Sequence, residues 1–154
     1  MEALQDGFTL KGSVNVKLIG SDGVIKQEHT DHNLVVTVGK SYLAAWLATD
    51  PQSGSFIKFV GLGTSSSGPA SGDTALGAEL SGGGYSRASG VLSSLSNVWT
   101  NTATFNPGNG TGAITEAGLF SASTSGTMLA HQVFSVYNKA AGDTMVVVWS
   151  VTFS

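Results

Sequence analysis

Cysteine is the first absence in this sequence of 154 residues. A chain without cysteine has no disulfide, no thiolate nucleophile and no cysteine ligand for structural zinc. Long apolar runs are missing too, so the sequence predicts no membrane-spanning helix. The first residues, MEALQDGFTLKG, carry neither the basic nor the apolar segment of a signal peptide. We therefore expect a protein that is made in the cytoplasm and does not enter a membrane.

Charge is scarce as well, because charged residues make up only 11% of the chain, against about 25% in an average protein. The net charge of −3 and the lack of any basic run predict no attraction to nucleic acid or to an anionic membrane. Solubility must come instead from Ser, Thr and Asn and from 21 glycines. That mixture is typical of turn-rich β proteins.

Alternation of apolar and polar residues, the period of a half-buried strand, dominates the chain. About eight such strands with frequent turn signals predict an all-β fold, either an antiparallel β-sandwich or a jelly-roll-like barrel. The clearest strand places five apolar side chains on one face: Met145, Val147, Trp149, Val151 and Phe153. Further strands are predicted at 14–18, 24–29, 34–38, 56–63, 113–122 and 128–137, with two more inside 85–105. We expect a single β-sandwich domain over residues 12–154, preceded by an N-terminal arm over residues 1–11.

One helix is predicted over residues 40–49, where Leu43, Trp46 and Leu47 fall on one face. Ser41 is the predicted N-cap, and Pro51 prevents the helix from continuing. Residues 63–84, called the long loop below, form the longest segment without a clear period. One short helical turn is predicted within it, starting at Asp73. Loops of that length in compact domains are usually functional or disordered.

No catalytic arrangement is recognisable in the sequence. A G-x-S-x-G motif is missing, and His29, His32 and His131 lack the partner pattern of an activated serine. His29, Asp31 and His32, in HTDH, could ligate a metal ion. Two histidines three apart on a non-helical segment do not define a tetrahedral site, however, so we interpret HTDH as a polar turn. We expect no enzymatic activity, no metal and no cofactor.

Glu116 lies inside an apolar predicted strand, where a carboxylate is costly unless a cation and hydrogen bonds satisfy it. The single arginine of the chain, Arg87, is a natural partner. One hypothesis is a buried or half-buried, bidentate Arg87–Glu116 pair that fastens GGGYSR to the ITEAGLF strand. The alternative is that Glu116 lies at a sheet edge and faces solvent. Either way we expect a structural role for Glu116.

Three stretches make the chain resemble small virion proteins of tailed bacteriophages. The most specific elements are NLVVTVGK before the helix, GLGT…GDTALGAEL in the long loop, and ITEAGLF…GDTM in the last strands. The resemblance runs from about residue 12 to the C-terminus, and it carries no catalytic residues. Members of this group are capsid decoration proteins (cement or knob proteins) or small tail-fibre and adaptor subunits.

The resemblance implies a non-enzymatic structural protein on the outer capsid surface of the virion, made in the cytoplasm of the bacterial host. Its partner would be the major capsid protein, or tail proteins in the alternative, and it would form a homo-oligomer, with a trimer expected. A carbohydrate-binding β-sandwich is a third candidate, but Trp99 and Trp149 fall on predicted core faces. The arm and the long loop are the expected contact surfaces. Their predicted shell or oligomer contacts are Leu4, Phe8, Leu10, Asp73, Leu76 and Leu80.

Overall fold

The computed structural model describes residues 9–47, 57–82 and 84–154. In these ranges the chain forms nine strands and one helix, and the fold is all-β as predicted. The elements are β1 (Leu10–Ile19), β2 (Ile25–Val35), α1 (Thr37–Leu47), β3 (Phe59–Gly63), β4 (Ala88–Ser89), β5 (Val91–Leu95), β6 (Val98–Phe105), β7 (Gly112–Phe120), β8 (Met128–Lys139) and β9 (Thr144–Phe153). Within the described ranges, no helix is long and apolar enough to cross a membrane.

The strands form one antiparallel sheet in the order β4-β3-β7-β8-β2-β1-β9-β6-β5. β4 and β5 lie at opposite ends of that order, yet only Gly90 separates them along the chain. The sheet therefore curls back on itself into a nearly closed barrel. Where its two ends meet, the Gly90 N–H donates to the Lys58 carbonyl at 2.6 Å.

The barrel core is built from every second residue along the strands, as the period-two pattern predicts. Along β9 the four inward side chains are at most 2% exposed: Met145, Val147, Trp149 and Val151. Phe153, on the same predicted face, is 37% exposed at the end of the strand. Fully burying one such side chain contributes about 1.5–3 kcal/mol, so these inward rows supply a large part of the stability of the barrel.

A few buried polar side chains in this interior lack partners. Asn101 is 0% exposed and is paired across the sheet with Trp149. Its amide atoms, those of Asn33 and the Trp149 indole N–H have no hydrogen-bond partner among the described residues. A buried polar group that is left without a partner costs about 1–3 kcal/mol, so Asn101 is a position where an apolar side chain should raise the stability of the barrel.

β2 and α1 differ from the sequence prediction. β2 runs without a break through the predicted HTDH turn, because residues 29–33 pair continuously with β1. The predicted strand 34–38 is also wrong, since Leu34 and Val35 end β2 and α1 begins at Thr37. Ser41 therefore lies inside α1 and is not its N-cap. The Thr37 N–H is satisfied instead by the Ser71 carbonyl of the long loop, at 2.8 Å.

The N-terminal boundary also shifts. Leu10 and Lys11, predicted to belong to an arm, are part of β1 and pair with Phe153 and Thr152. Leu4 and Phe8 lie outside the described residues. The predicted helical turn at Asp73 is replaced by hydrogen-bonded turns around 71–72 and 77–78.

Candidate functional site

Glu116 of β7 is fully buried and binds the backbone of the long loop. Its Oε1 accepts hydrogen bonds from the Ala78 N–H at 2.7 Å and the Ser65 N–H at 3.2 Å. Its Oε2 accepts one from the Gly77 N–H at 3.0 Å. The loop cannot pair all of its backbone donors within a strand, and the carboxylate satisfies three of them from inside the barrel wall.

His131 of β8 extends this contact to a second carboxylate. The ring is 3% exposed. Its Nε2 lies 3.0 Å from Glu116 Oε2, and its Nδ1 lies 2.8 Å from Asp73 Oδ2. Both distances are within hydrogen-bond range, so the imidazole ring links the two carboxyl groups. We call Asp73, His131 and Glu116 the clasp, because together they join the long loop to β7 and β8.

Asp73 also binds the loop itself, since its Oδ2 accepts a hydrogen bond from the Ala70 N–H at 2.7 Å. That backbone hydrogen bond is the main reason that the pKa of Asp73 is lowered from its ordinary value, and the hydrogen bond to His131 adds to it. Asp73 is therefore held in its ionised form within the loop.

Glycine makes room for the clasp. Gly63 of β3 is the cross-strand partner of Glu116, whose side chain lies over it. A Cβ atom at Gly63 would lie 2.6 Å from the Ala78 carbonyl oxygen as well as against the Glu116 carboxylate. The GLG sequence of β3 thus lets both the buried carboxylate and the returning loop approach the strand.

The predicted Arg87–Glu116 pair is wrong. Arg87 pairs with Glu79 instead, through two parallel hydrogen bonds of 2.6 Å from Nε and 2.8 Å from Nη2. Glu116, the predicted partner, is satisfied by His131 and by loop N–H groups. Its 0% exposure also rules out the alternative of a solvent-facing edge position. The structural role expected for Glu116 stays a prediction, now with different partners.

Arg87 fastens the end of the long loop to the β7–β8 turn. Its Nη1 donates to the carbonyl oxygens of Ala122, at 3.0 Å, and Ser125, at 2.6 Å. Its guanidinium carbon lies 3.5 Å from the centroid of the Phe120 ring, a cation–π contact. The Arg87 side chain is 8% exposed, and its guanidinium donates to Glu79, Ala122 and Ser125.

Tyr85 adds a contact between the same segment and β3. Its hydroxyl oxygen accepts the Leu62 N–H at 2.8 Å, and the Leu62 carbonyl accepts the Leu80 N–H at 2.9 Å. Burial raises the pKa of Tyr85 to about 12, so the hydroxyl stays protonated at neutral pH. The loop therefore covers the β3 edge that β4 leaves open.

No family model, curated protein or solved structure matches this chain. The features of the molecule that bear on its function are the clasp and the surface that the clasp supports.

The buried groups of the clasp are engaged with one another and with the long loop. Both His131 ring nitrogens face carboxylates, and Glu116 is enclosed. In the described ranges, no cluster of three or more His, Cys, Asp or Glu side chains could hold a metal ion. His29 of HTDH is exposed, with Nε2 3.7 Å from Asp31 Oδ2, and His32 is exposed as well. The contacts of the clasp therefore join the long loop to the barrel wall.

The structure shows where four of the six predicted contact residues lie. Leu76 is only 8% exposed and packs in a small core with Val36, Phe120 and Met128. Leu80 and Leu10 are half-buried against the main core. Asp73 belongs to the clasp. These side chains pack the long loop and the start of β1 against their own barrel. Their role as contacts to a shell or to another copy stays a prediction.

His131 and Glu79 were missed as site residues. A signal for His131 did exist: it is a polar residue inside the apolar run MLAHQVF, as Glu116 is inside ITEAGLF. Glu79 has no such signal, because it lies in the aperiodic loop. Trp149 is buried in the core, as predicted, and Trp99 packs partly buried against it.

Proposed function

We propose that this chain is a non-enzymatic structural protein of a tailed-phage virion, a capsid decoration protein whose long loop binds the assembled shell. The observation that carries the proposal is the way the clasp holds this loop. The long loop has no regular structure, and three side chains on its inner side hold it: the buried Glu116 carboxylate, the buried His131 imidazole and the bidentate Arg87 guanidinium. A loop fixed in advance loses little conformational entropy on binding, which favours a contact surface.

The outward surface of the loop is uncharged. Its two acidic residues, Asp73 and Glu79, are engaged with His131 and Arg87. The exposed positions carry short side chains or are glycines: Thr64, Ser66, Ser67, Gly68, Ala70, Ser71, Gly72, Thr74, Ala75, Gly77, Ala78, Ser81, Gly82 and Gly84. Such a surface packs closely against a neighbouring protein with little cost of charge desolvation, and it offers no attraction to nucleic acid.

A decoration protein of this kind binds the assembled shell and not its separated subunits, so it stabilises the shell by mass action. Assembly as a homo-oligomer, with a trimer as the expected form, would add avidity, because several loops would engage neighbouring subunits at once. The partner would be the major capsid protein, and the location the outer surface of the capsid.

A small tail-fibre or tail-adaptor subunit is the second candidate, since the same neutral loop would serve a ring or a stalk. The number of copies per particle separates the two. We expect a quantitative gel or a cryo-EM map of particles that carry this chain to show copies near-stoichiometric with the major shell protein. A handful of copies confined to the tail would overturn the decoration proposal in favour of the tail subunit.

A loop variant tests the contact surface directly. Ser66→Arg places a long cation on the exposed loop, and we expect it to abolish binding to the particles. Thr124→Arg, on the exposed β7–β8 turn, is the matched control and should bind as the wild type does. If Ser66→Arg folds normally and still binds fully, the loop is not the contact surface.

A further inference from the structure

β5 lacks the features that usually protect an edge strand. It ends the strand order, and in the described part of the chain no strand pairs with its outer side. Natural edge strands are protected by charged side chains, proline, bulges or very short length. The sequence of β5, VLSSL, contains neither charge nor proline. The opposite edge strand, β4, has only two residues.

β5 also exposes its apolar side chains. Val91 is 74% exposed and Leu95 is 80% exposed, and both lie on the outer face of the sheet with Ser93 between them. Their cross-strand neighbours in β6 are Thr102, Thr100 and Val98, which are uncharged. This part of the surface is thus a neutral strip beside a strand edge with which no other strand pairs among the described residues.

We propose that β5 pairs antiparallel with β5 of a second copy of this chain, about a two-fold axis through Ser93. In that register Ser93 lies opposite Ser93 of the second copy, and Leu92 lies opposite Ser94. Val91 of each copy then meets Leu95 of the other, so the two most exposed apolar side chains of the strand cover each other. The self-complementary order of VLSSL sets this register, which continues the sheet across the axis.

Charge supports a second copy as the occupant. In a symmetric contact, residues near the axis meet their own images, so any charge there is repelled by itself. β5 and the facing positions of β6 carry none, although each copy has a net charge of −3. The contact is small beside the ~800 Å² per partner of a standard interface. We therefore expect a weak dimer, with a dissociation constant on the order of tens to hundreds of micromolar.

The absence of cysteine allows a direct test of the register in the purified full chain. Directly opposed residues of antiparallel strands have Cα atoms about 4.5–5.5 Å apart, within the range of a disulfide. Ser93→Cys should give a covalent dimer under mild oxidation. Ser94→Cys, whose image lies on the diagonal at about 7–8 Å, should do so much more slowly. Equal cross-linking of both variants would overturn the register.

Leu95→Lys tests the contact itself. We expect wild-type protein to dimerise with rising concentration in sedimentation equilibrium, and Leu95→Lys to raise the dissociation constant at least tenfold. Val24→Lys, at an apolar position 60% exposed in the β1–β2 turn, should dimerise as the wild type does. A wild-type monomer at millimolar concentration would overturn the proposal, as would a dimer or trimer insensitive to Leu95→Lys.

Hydrogen exchange of the β5 amides distinguishes a second copy from another segment of the same chain as the partner of β5. Protection that increases with protein concentration supports the second copy. Protection that is complete in dilute monomer means that another segment of the same chain covers β5, and it overturns the proposal. These measurements involve no phage particle, so their failure leaves the proposed decoration function standing, and failure of that function leaves the dimer standing.

Discussion

Nε2 of His131 lies 3.0 Å from Oε2 of Glu116, and both side chains are buried. The two residues belong to neighbouring strands, but their side chains contact the long loop. Each reaches a different part of the long loop: Glu116 binds backbone N–H groups around Ala78, and His131 binds Asp73. The loop is therefore fixed by ionisable groups in the barrel wall, and substituting them should loosen the loop before it damages the barrel.

Replacing Glu116 should lower the stability of the protein more than replacing a surface carboxylate does. Glu116→Ala leaves three loop N–H groups and His131 without their acceptor. We expect a loss of about 3–5 kcal/mol in the free energy of unfolding, measured by urea denaturation. Glu116→Gln keeps the shape and one acceptor oxygen, but its NH2 group would face a loop N–H in place of the second oxygen, and the substitution should cost about 1–3 kcal/mol.

Glu28→Gln is the control for this experiment. Glu28 is exposed and forms a surface ion pair with Lys17 at 3.3 Å, so its replacement should cost at most about 1 kcal/mol. If Glu116→Ala were no more destabilising than Glu28→Gln, the clasp would have no structural role.

Arg87 and Glu79 should be energetically coupled, and Arg87 and Glu116 should not. The first pair makes two short hydrogen bonds, so a double-mutant cycle to alanine should give a coupling energy of about 1–3 kcal/mol. The cycle for Arg87 and Glu116 should give less than about 0.5 kcal/mol. Arg87→Lys should not restore stability, because an ammonium lacks the planar fork and cannot reproduce the contact with Phe120.

Much of the fold follows from local patterns in the sequence. The period of two in Met145–Val151 predicts both the strand and its buried face, because β9 contacts a neighbour on each side and the core on one face. Likewise, the position of Glu116 inside an apolar strand marks it as a residue with a special environment. These features depend on a few consecutive residues.

The partners of the site residues depend on tertiary structure. Glu116 contacts Gly77 and Ala78 only because β3 pairs with β7 and the long loop after β3 passes across β7. It contacts His131 because β8 is the other neighbour of β7. Nothing local to Arg87 separates Glu79 from Glu116 as its partner. The HTDH segment fails as a turn for the same reason, since its pairing with β1 outweighs the turn preference of its polar residues.

Acid should destabilise the protein partly through Asp73. Its pKa is lowered in the folded state, chiefly by the Ala70 N–H and then by His131. A carboxyl with a lowered folded pKa contributes stability above its unfolded pKa of 3.8, and this contribution is lost as the pH falls through the folded value. Asp73→Asn should be less stable than wild type at pH 7, and the difference should shrink below about pH 4.

Asp143 provides an independent comparison. Lys26 binds its carboxylate at 2.7 Å and is the main cause of its lowered pKa, followed by the Ala140 N–H. Asp143→Asn should therefore reduce the acid sensitivity in the same direction. The two substitutions share no partner, so their effects on urea midpoints across pH should add. An Asp73→Asn curve parallel to wild type from pH 7 to pH 2 would contradict the role of Asp73.

Gly39→Ala should destabilise the protein although it favours a helix. Alanine in a helix interior is normally better than glycine by about 1 kcal/mol. In α1, however, a Cβ at Gly39 would lie 2.5 Å from the Leu129 carbonyl oxygen and 2.6 Å from its Cα, so α1 must move off β8. We expect a net loss of about 1–3 kcal/mol, measured by thermal unfolding. Gly68→Ala, in open space on the long loop, should be neutral or slightly stabilising.

Asn101→Leu should stabilise the barrel. The Asn101 amide is 0% exposed and makes no hydrogen bond with the described residues, so the folded state carries a polar group without the partners that water gives it when unfolded. An apolar side chain of the same branching removes that cost, and we expect a gain of about 1–2 kcal/mol in urea denaturation. Asn138→Leu, at an exposed position on β8, is the matched control and should change stability by less than about 0.5 kcal/mol. A loss of stability in Asn101→Leu would mean that the amide is hydrogen-bonded in solution and that this side of the barrel interior is polar by design.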